Sequence, residues 1–323
     1  MPRFHLNFQR LFAVLAAGLL IGATAPATAA APQVRTQGPG YYRLMLGDVE
    51  ITALLDGTHA FPIDTVMQNV APQDIEHDLA RAALAAPVQG SINAFLVNTG
   101  TRLILIDTGA GVLYGDCCGK LLANLRAAGY APEQVDQVWL THLHKDHVGG
   151  ILSGGKMAFP NAVLRVNQLD AAYWLSAAKK NTAPAFLRSF FDSAVAATAP
   201  YIAAGRFQPF SDHAELAPGM VANTARGHTE GHTTFSITSR GQTMLAWGDI
   251  VHVAAVQLQH PGATVTYDTD AKAAAAARRA LLDQAAATHV LVAAAHIAFP
   301  GLGHIRKNGA TYDWIPVNYA AAP

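Results

Sequence analysis

Within six positions, the run Thr141-His142-Leu143-His144-Lys145-Asp146-His147 carries four side chains able to ligate a metal, and Val148-Gly149-Gly150 completes it. It follows Val135 to Leu140, which reads as a buried strand. Residues i and i+2 at an extended strand end project to one side, so His142 and His144 converge on one ion. Asp146 and His147, beginning the next turn, point across to a second. Imidazole nitrogen and carboxylate oxygen are ordinary zinc donors, and no cysteine is required. Gly149 and Gly150 let the backbone pack closely behind the loop. Three further pieces share this placement: Gly227-His228-Thr229-Glu230-Gly231-His232 precedes an expected strand, Trp247-Gly248-Asp249 ends one, and Ala295-His296 ends another. Each alone is weak. Together they fall at strand edges, where open α/β sheets gather ligands. An aspartate such as Asp249 can bridge two cations, since its two oxygens bind separately.

The elements that must position these residues alternate between strand and helix. Tyr42 to Leu46 and Val49 to Leu55 flank a Gly47-Asp48 turn, and Ala94 to Val97 pairs with Leu103 to Ile106 across Asn98-Thr99-Gly100. Lys120 to Ala128 reads as a helix ended by Gly129, and the strand Val163 to Val166 leads into a helical stretch over Ala171 to Ala178. Strands near Thr234 to Ile237 and Thr243 to Trp247, an Ala-rich helix from Asp270 to Ala287 and the strand Val290 to Ala294 repeat the alternation. Such a pattern predicts sheets covered by helices. Gly57 to Gly90 and Lys179 to Gly219 lack strong periodicity and are expected as lids or binding walls.

The chain has 323 residues, 51% hydrophobic and 14% charged, enough apolar matter for a sizeable core. Its 22 basic residues balance 22 acidic ones with no long basic run, which excludes an obvious nucleic-acid surface. Cys117 and Cys118 are adjacent, so they build neither a disulfide framework nor a four-thiolate site; free thiols are expected, the alternative being a vicinal disulfide. Arg3 and Arg10, the uncharged apolar run Leu11 to Ala23 and the small-x-small step Ala27-Thr28-Ala29 read as a signal peptide over residues 1–29. The run is shorter than the roughly 20 residues of a membrane-spanning helix, so cleavage is expected rather than a stable anchor. No arginine pair marks the Tat route, so export is expected by the Sec route to the periplasm or beyond. Residues 30–323 then form a single domain.

The order and spacing of the H-x-H-x-D-H run, the G-H-T-x-G-H run, the Gly248-Asp249 pair and the late His296 resemble the metallo-β-lactamase superfamily. Ala31 to Thr36, Leu96 to Gly100, Gly248 to Ile250, Ala254 to Gln257 and Phe299 to Ile305 are similar to its methyl parathion hydrolase branch. The resemblance implies an α/β fold, a four-layer αββα sandwich with a two-metal site, most simply two zinc ions per subunit. By the same resemblance His142, His144 and His228 hold one ion, Asp146, His147 and His296 the other, and Asp249 bridges them. His232 is then structural or supports a ligand from behind. Asp107, in Leu105-Ile106-Asp107-Thr108-Gly109, either orients the metal loop or simply caps its strand.

Two divalent ions roughly 3.5–4 Å apart lower the pKa of a shared water towards ~7; the metal-bridging hydroxide is the expected nucleophile, with Asp146 and Asp249 as the catalytic carboxylates. His144 stands where diiron oxidoreductases of this superfamily place a glutamate, and Asp249 where common zinc β-lactamases place a cysteine, so neither activity is expected. Export and the absent basic patch argue against cytosolic anionic substrates. The resemblance implies an apolar pocket with Tyr114, Trp174 and Phe190, or Phe191 in place of Phe190, as aromatic walls. His252 and Tyr267 depart from leucine-like residues of the branch, making the pocket wetter and less suited to phosphotriesters; His252 is also a candidate proton donor to the leaving group. The expected activity is hydrolysis of small neutral esters, lactones or aryl phosphotriesters. An acyl-homoserine lactonase and a non-catalytic periplasmic metal-binding protein are the competing readings. A small molecule is the expected partner, with no nucleic acid, and the branch implies a homodimer.

Overall fold

A computed structural model describes Met1–Pro2 and residues 31–321; the signal-peptide reading lies outside the described residues. Residues 39–321 form one compact unit. Its first sheet has six strands in the spatial order Tyr41–Leu46, Val49–Phe61, Val88–Asn98, Leu103–Ile106, Gln137–Trp139 and Val163–Arg165. The second has seven, Glu215–Ala217, Met220–Thr224, Thr233–Ser239, Gln242–Ala246, Leu291–Ala293, Leu302–Asn308 and Thr311–Pro316.

Strand alternation explains why the two sheets stack. Side chains at alternate positions leave opposite faces. Thus Phe95, Val97, Ile104, Ile106 and Trp139 meet Phe235, Ile237, Met244 and Ala246 in a core between the sheets. Their neighbours Ala94, Leu96, Leu103 and Leu105 point outward and pack with Leu125, Trp174, Phe191 and Tyr201 of the covering helices. Leu245 and Val292 leave the other outer face and meet Leu282 and Ala285 of the long helix Ala271–Thr288. The result is the four-layer αββα sandwich. That long helix is alanine-rich, a composition of high helical propensity, and buries Ala274, Arg278, Leu282 and Ala285 along one stripe. The Asp270 carboxylate accepts from the Ala273 N–H at 3.0 Å and caps its start.

Two expectations need correcting. Gly57 to Gly90 is not irregular: strand Val49–Phe61 continues through it, and Pro72–Arg81 is a helix. A register shift between Leu55 and Gly57 breaks the alternation by which the sequence would have been read. Lys179 to Gly219 contains the 16-residue helix Arg188–Ala203. Its alanines and serines blur the contrast between faces, although Phe191, Ala194, Ala197 and Tyr201 are buried. The stretch Ala171 to Ala178 is two helices, Gln168–Trp174 and Ala177–Thr182, the second capped by the Ser176 hydroxyl. Among the described residues no helix is long and apolar enough to cross a membrane.

Candidate metal centre

The metal-ligand types gather where the strands of the two sheets end. His142, His144, His228 and Asp249 form one group, and Asp146, His147 and His296 a second. His228 Nε2 lies 3.2 Å from His142 Nε2, 3.0 Å from His144 Nδ1 and 3.2 Å from Asp249 Oδ2. The other Asp249 oxygen, Oδ1, lies 3.0 Å from His147 Nε2 and 3.1 Å from His296 Nε2. Asp249 therefore presents one oxygen to each group. His296 Nε2 also lies 3.5 Å from Asp146 Oδ2.

These separations fit a divalent ion. Donors at zinc distances of about 2.0–2.1 Å on a tetrahedron stand about 3.3 Å apart. His147 Nε2, His296 Nε2 and Asp249 Oδ1 are buried without any hydrogen-bond partner. Buried polar atoms are nearly always partnered, so a convergent set of orphans marks a place for a cation.

Buried carboxylates hold the ligands. Asp107, at the end of strand Leu103–Ile106, accepts from the Thr141 N–H at 2.8 Å, the Thr141 hydroxyl at 2.9 Å and His147 Nδ1 at 2.9 Å. It fixes the loop and leaves His147 Nε2 free for an ion. Asp170 accepts from the backbone N–H of Leu143 at 2.7 Å and of Gly231 at 3.1 Å, tying the two histidine loops together. Asp268 accepts from His228 Nδ1 at 2.8 Å, and the Ser91 carbonyl accepts from His296 Nδ1 at 3.0 Å. His232 joins neither ligand group: its Nε2 accepts from the Asp249 N–H at 3.0 Å and its Nδ1 donates to the Ala225 carbonyl at 3.2 Å. A Cβ on Gly149 or Gly150 would strike the carbonyl oxygens of Ala110 and Thr108, so the chain behind the histidine loop passes only as glycine. Asp170 and Asp268 were invisible in the sequence. Each sits near a helix start, where an acidic residue is ordinarily read as a cap.

The electrostatics fit a site built for cations. Burial, then the neighbouring histidines, pushes His142 and His144 well below the ordinary imidazole range. Burial also lowers His228, but Asp249 and Asp268 outweigh it and raise its pKa to about 9. Asp249 is opposed by burial, yet His147, His296, His142 and His228 hold it well below the usual carboxylate range. Metal ions and protons compete for such ligands, so affinity weakens in acid.

Above the ligands opens a cleft of about 200 Å³. Its walls include His59, Phe61, Pro62, Val66, Ile92, Tyr114, Phe190, His252 and Tyr267, with His144, Asp146, Asp249 and His296 at its floor. Tyr114, Phe190, His252 and Tyr267 were expected there. Trp174 was too, and this is corrected: it is fully buried, packed edge-on behind His144 with ring centroids 4.8 Å apart. It lies on the inward face of its helix, against Phe191. Phe61, Pro62 and Val66 went unseen because their segment reads as irregular. Burial and nearby carboxylates hold the phenols of Tyr114 and Tyr267 well above their ordinary range, so both stay protonated at neutral pH. The Tyr114 hydroxyl donates to Asp146 Oδ1 at 3.3 Å. Its loop is anchored by Asp56, whose buried carboxylate accepts from the N–H groups of Ala110, Gly111, Gly119 and Leu121. The same loop carries Cys117 and Cys118, joined as a vicinal disulfide where free thiols were expected. The backbone of Cys117 and Cys118 packs on Gly57, where a Cβ would strike the Cys117 carbonyl.

Two helix-covered sheets meeting at a histidine- and aspartate-lined floor define a metal-dependent hydrolase of the αββα class. The chain belongs to the metallo-β-lactamase superfamily, whose family model matches residues 87–296. Among solved structures it is similar to a hydrolase of the β-lactamase superfamily, AbOPH, with 37% identity, a TM-score of 0.84, and 88% of this chain and 100% of that one covered. It is also similar to AidC, described as a dizinc quorum-quenching lactonase in complex with a product, with 26% identity, a TM-score of 0.80 and coverage of 87% and 98%. A β-lactamase-like protein 2 homologue of Drosophila melanogaster is 37% identical over 92 residues, which span 27% of this chain and 29% of that protein.

Proposed function

We propose that the protein is an exported two-zinc hydrolase of small neutral esters, foremost lactones and aryl esters, with aryl phosphotriesters as weaker substrates. The observation that carries this reading is the cleft: its walls are mostly apolar and aromatic, and among the described residues no lysine or arginine lines it. An anionic group held against those walls, away from the floor, would lose hydration without gaining a cationic side chain. When bound, two divalent ions supply a water activated at neutral pH and polarise the bond under attack. His142, His144 and His228 would hold one, Asp146, His147 and His296 the other, and Asp249 would offer an oxygen to each. Phe61, Val66, Ile92 and Phe190 exclude water and receive the apolar part of the substrate. Tyr267, protonated at neutral pH, offers a neutral hydrogen-bond donor to its oxygens, while the Tyr114 hydroxyl is engaged by Asp146.

A second reading, an acyl-homoserine lactonase, is favoured by the likeness to AidC over 87% of the chain. One assay panel separates these readings from a non-catalytic binding protein: an aryl ester, a simple lactone, an acyl-homoserine lactone and an aryl phosphotriester with the zinc-loaded protein. Turnover of aryl ester and simple lactone above the phosphotriester is expected. A preference of a hundredfold for the acyl-homoserine lactone would favour the second reading, and no turnover of any would refute both. The reading includes removal of residues 1–29 on export and assembly as a homodimer, which N-terminal sequencing and sedimentation test.

A further inference from the structure

We infer that Phe190 and Lys145 together set which charge the cleft accepts: the wall ring of Phe190 covers the ammonium of Lys145, and withdrawing that ring would give the cleft an anion-binding side. The inference deepens the neutral-substrate reading above and rests on it.

Lys145 stands between His144 and Asp146 in the chain, yet its side chain does not line the cleft. Its Nζ lies over the face of the Phe190 ring, 4.9 Å from the centroid, and donates to Ser189 Oγ at 2.9 Å. Phe190 itself does line the cleft. One ring thus forms the wall and covers a cation. Among the described residues Lys145 forms no ion pair. The Asp146 carboxylate turns towards His147 and His296, and Asp192, three residues beyond Ser189, is taken by Lys180. Within the protein the ammonium is therefore answered only by a ring face and a neutral hydroxyl.

Two elements fix this arrangement. Lys145 begins the short helix Lys145–Val148 that follows the ligand loop, and Ser189 and Phe190 lie in the first turn of Arg188–Ala203. Successive side chains on a helix diverge by about 100°. With Phe191 buried against Trp174, Phe190 is left to face the cleft and Ser189 to reach Lys145. The Phe190 ring is held edge-on to His144 at 5.1 Å and beside Trp174 at 6.3 Å. An ammonium is drawn to the negative face of an aromatic ring, so Lys145 helps to keep the ring in the wall.

For a substrate, the cover decides the sign. A neutral acyl or aryl group meets an apolar ring. An anionic group meets the same ring and finds no cation, although one stands just behind it. Without the ring, the space it vacates joins the cleft and ends at the Lys145 ammonium. A charge-assisted contact in such a half-buried place strengthens binding by about tenfold or more.

The test compares phenyl acetate with para-acetoxybenzoate, which carries a carboxylate on the leaving group, and reads the ratio of their kcat/KM in the zinc-loaded protein. Metal lost from a variant lowers both rates and drops out of the ratio. In Phe190→Ala the ratio should move about tenfold towards the anion, and in Phe190→Val less. In the double variant Phe190→Ala, Lys145→Met it should return to the wild-type value. No movement in Phe190→Ala, or a movement that survives in the double variant, would overturn the inference. Lys145→Met alone leaves the wall whole and should leave the ratio unchanged. A fall of about tenfold there would show that the ammonium already reaches the substrate, and would overturn the inference even if the Phe190 variants did not fold. The neutral-substrate reading fails separately, if the wild type prefers para-acetoxybenzoate to phenyl acetate; the inference is judged only by how the ratio moves between variants.

Discussion

Asp268→Ala tests how the fold prepares His228 for an ion. The Asp268 side chain is fully buried, and its two oxygens serve different partners: Oδ1 accepts from His228 Nδ1 at 2.8 Å and Oδ2 from the Val265 N–H at 3.0 Å. Alanine leaves both donors buried and unpaired. At about 1–3 kcal/mol each, the metal-free protein should lose roughly 2–6 kcal/mol of stability. The effect on the metal is separate. The carboxylate keeps the proton on Nδ1 and the lone pair on Nε2, directed at His142, His144 and Asp249. Loss of such an outer partner weakens metal binding by about 10–100-fold. The loss should fall on the ion of the first group and spare the second, so at limiting zinc the variant holds one ion where the wild type holds two. Asp268→Asn keeps an acceptor for His228 but opposes its amide to the Val265 N–H, and should fall between the two. Chelator competition followed by denaturant unfolding of the metal-free forms measures both quantities. If Asp268→Ala bound both ions with wild-type affinity, His228 would not depend on this carboxylate, and the wiring argument would fail.

Three further outcomes follow from the geometry. Asp249→Ala should release metal and reduce turnover by well over about 100-fold while circular dichroism stays native, since a directly coordinating carboxylate is lost rather than an outer partner; near-normal rates would refute the shared-oxygen arrangement. His232, whose pKa burial and then His228 pull down to about 3, stays neutral in the fold, while the unfolded chain takes up a proton near pH 6.5. Stability of the metal-free protein should therefore be full above that pH and fall from about 6.5 towards 3, by at most about 1.4 kcal/mol per pH unit from this residue, and His232→Gln should flatten that part of the curve; parallel curves for the two proteins would exclude the effect. Protein recovered from the envelope fraction should lack residues 1–29, and an intact N-terminus on cytosolic protein would remove the export argument.

What the sequence made legible was what spacing and alternation can encode. The strands flanking Gly47-Asp48 and Asn98-Thr99-Gly100 stand where their period-two patterns put them, and Asp270 caps the alanine-rich helix it precedes. His142, His144, Asp146 and His147 lie together because a strand end and one turn determine their directions locally. His228, Asp249 and His296 come from three distant strand ends, and only resemblance joined them to the first four. The cleft walls were half legible. Tyr114, Phe190, His252 and Tyr267 do line it, whereas Trp174 turned out to be core, because aromatic content does not say which side of a helix faces the ligand. Phe61, Pro62 and Val66 were hidden by the register shift at Leu55–Gly57, which moves the strand out of phase with its own pattern. Asp170 and Asp268 were hidden for a different reason: a carboxylate that accepts from distant backbone or imidazole groups leaves no periodic trace.

The carboxylates behind the site explain how its wall and its floor are coupled, and unevenly so. Asp56 holds the loop of Tyr114, Asp107 the loop of His147, Asp170 the two histidine loops, and Asp268 the ring of His228. Phe190 reaches the cleft from the helix Arg188–Ala203, which carries none of these anchors, but its ring packs edge-on against His144 at 5.1 Å; Phe61 ends the strand that carries Asp56 and stacks on His252. Tyr267 is different. It adjoins Asp268, in a turn closed by the Val265 N–H on that carboxylate and paired through the Thr266 N–H with the carbonyl of Val66, itself a wall residue. A change that shifts this turn to reshape the wall also shifts the acceptor of His228 Nδ1. On the Tyr267 side each change of wall is thus also a change in the acceptor behind His228, while on the Phe190 side it acts through the ring packed on His144 and leaves the carboxylate anchors in place.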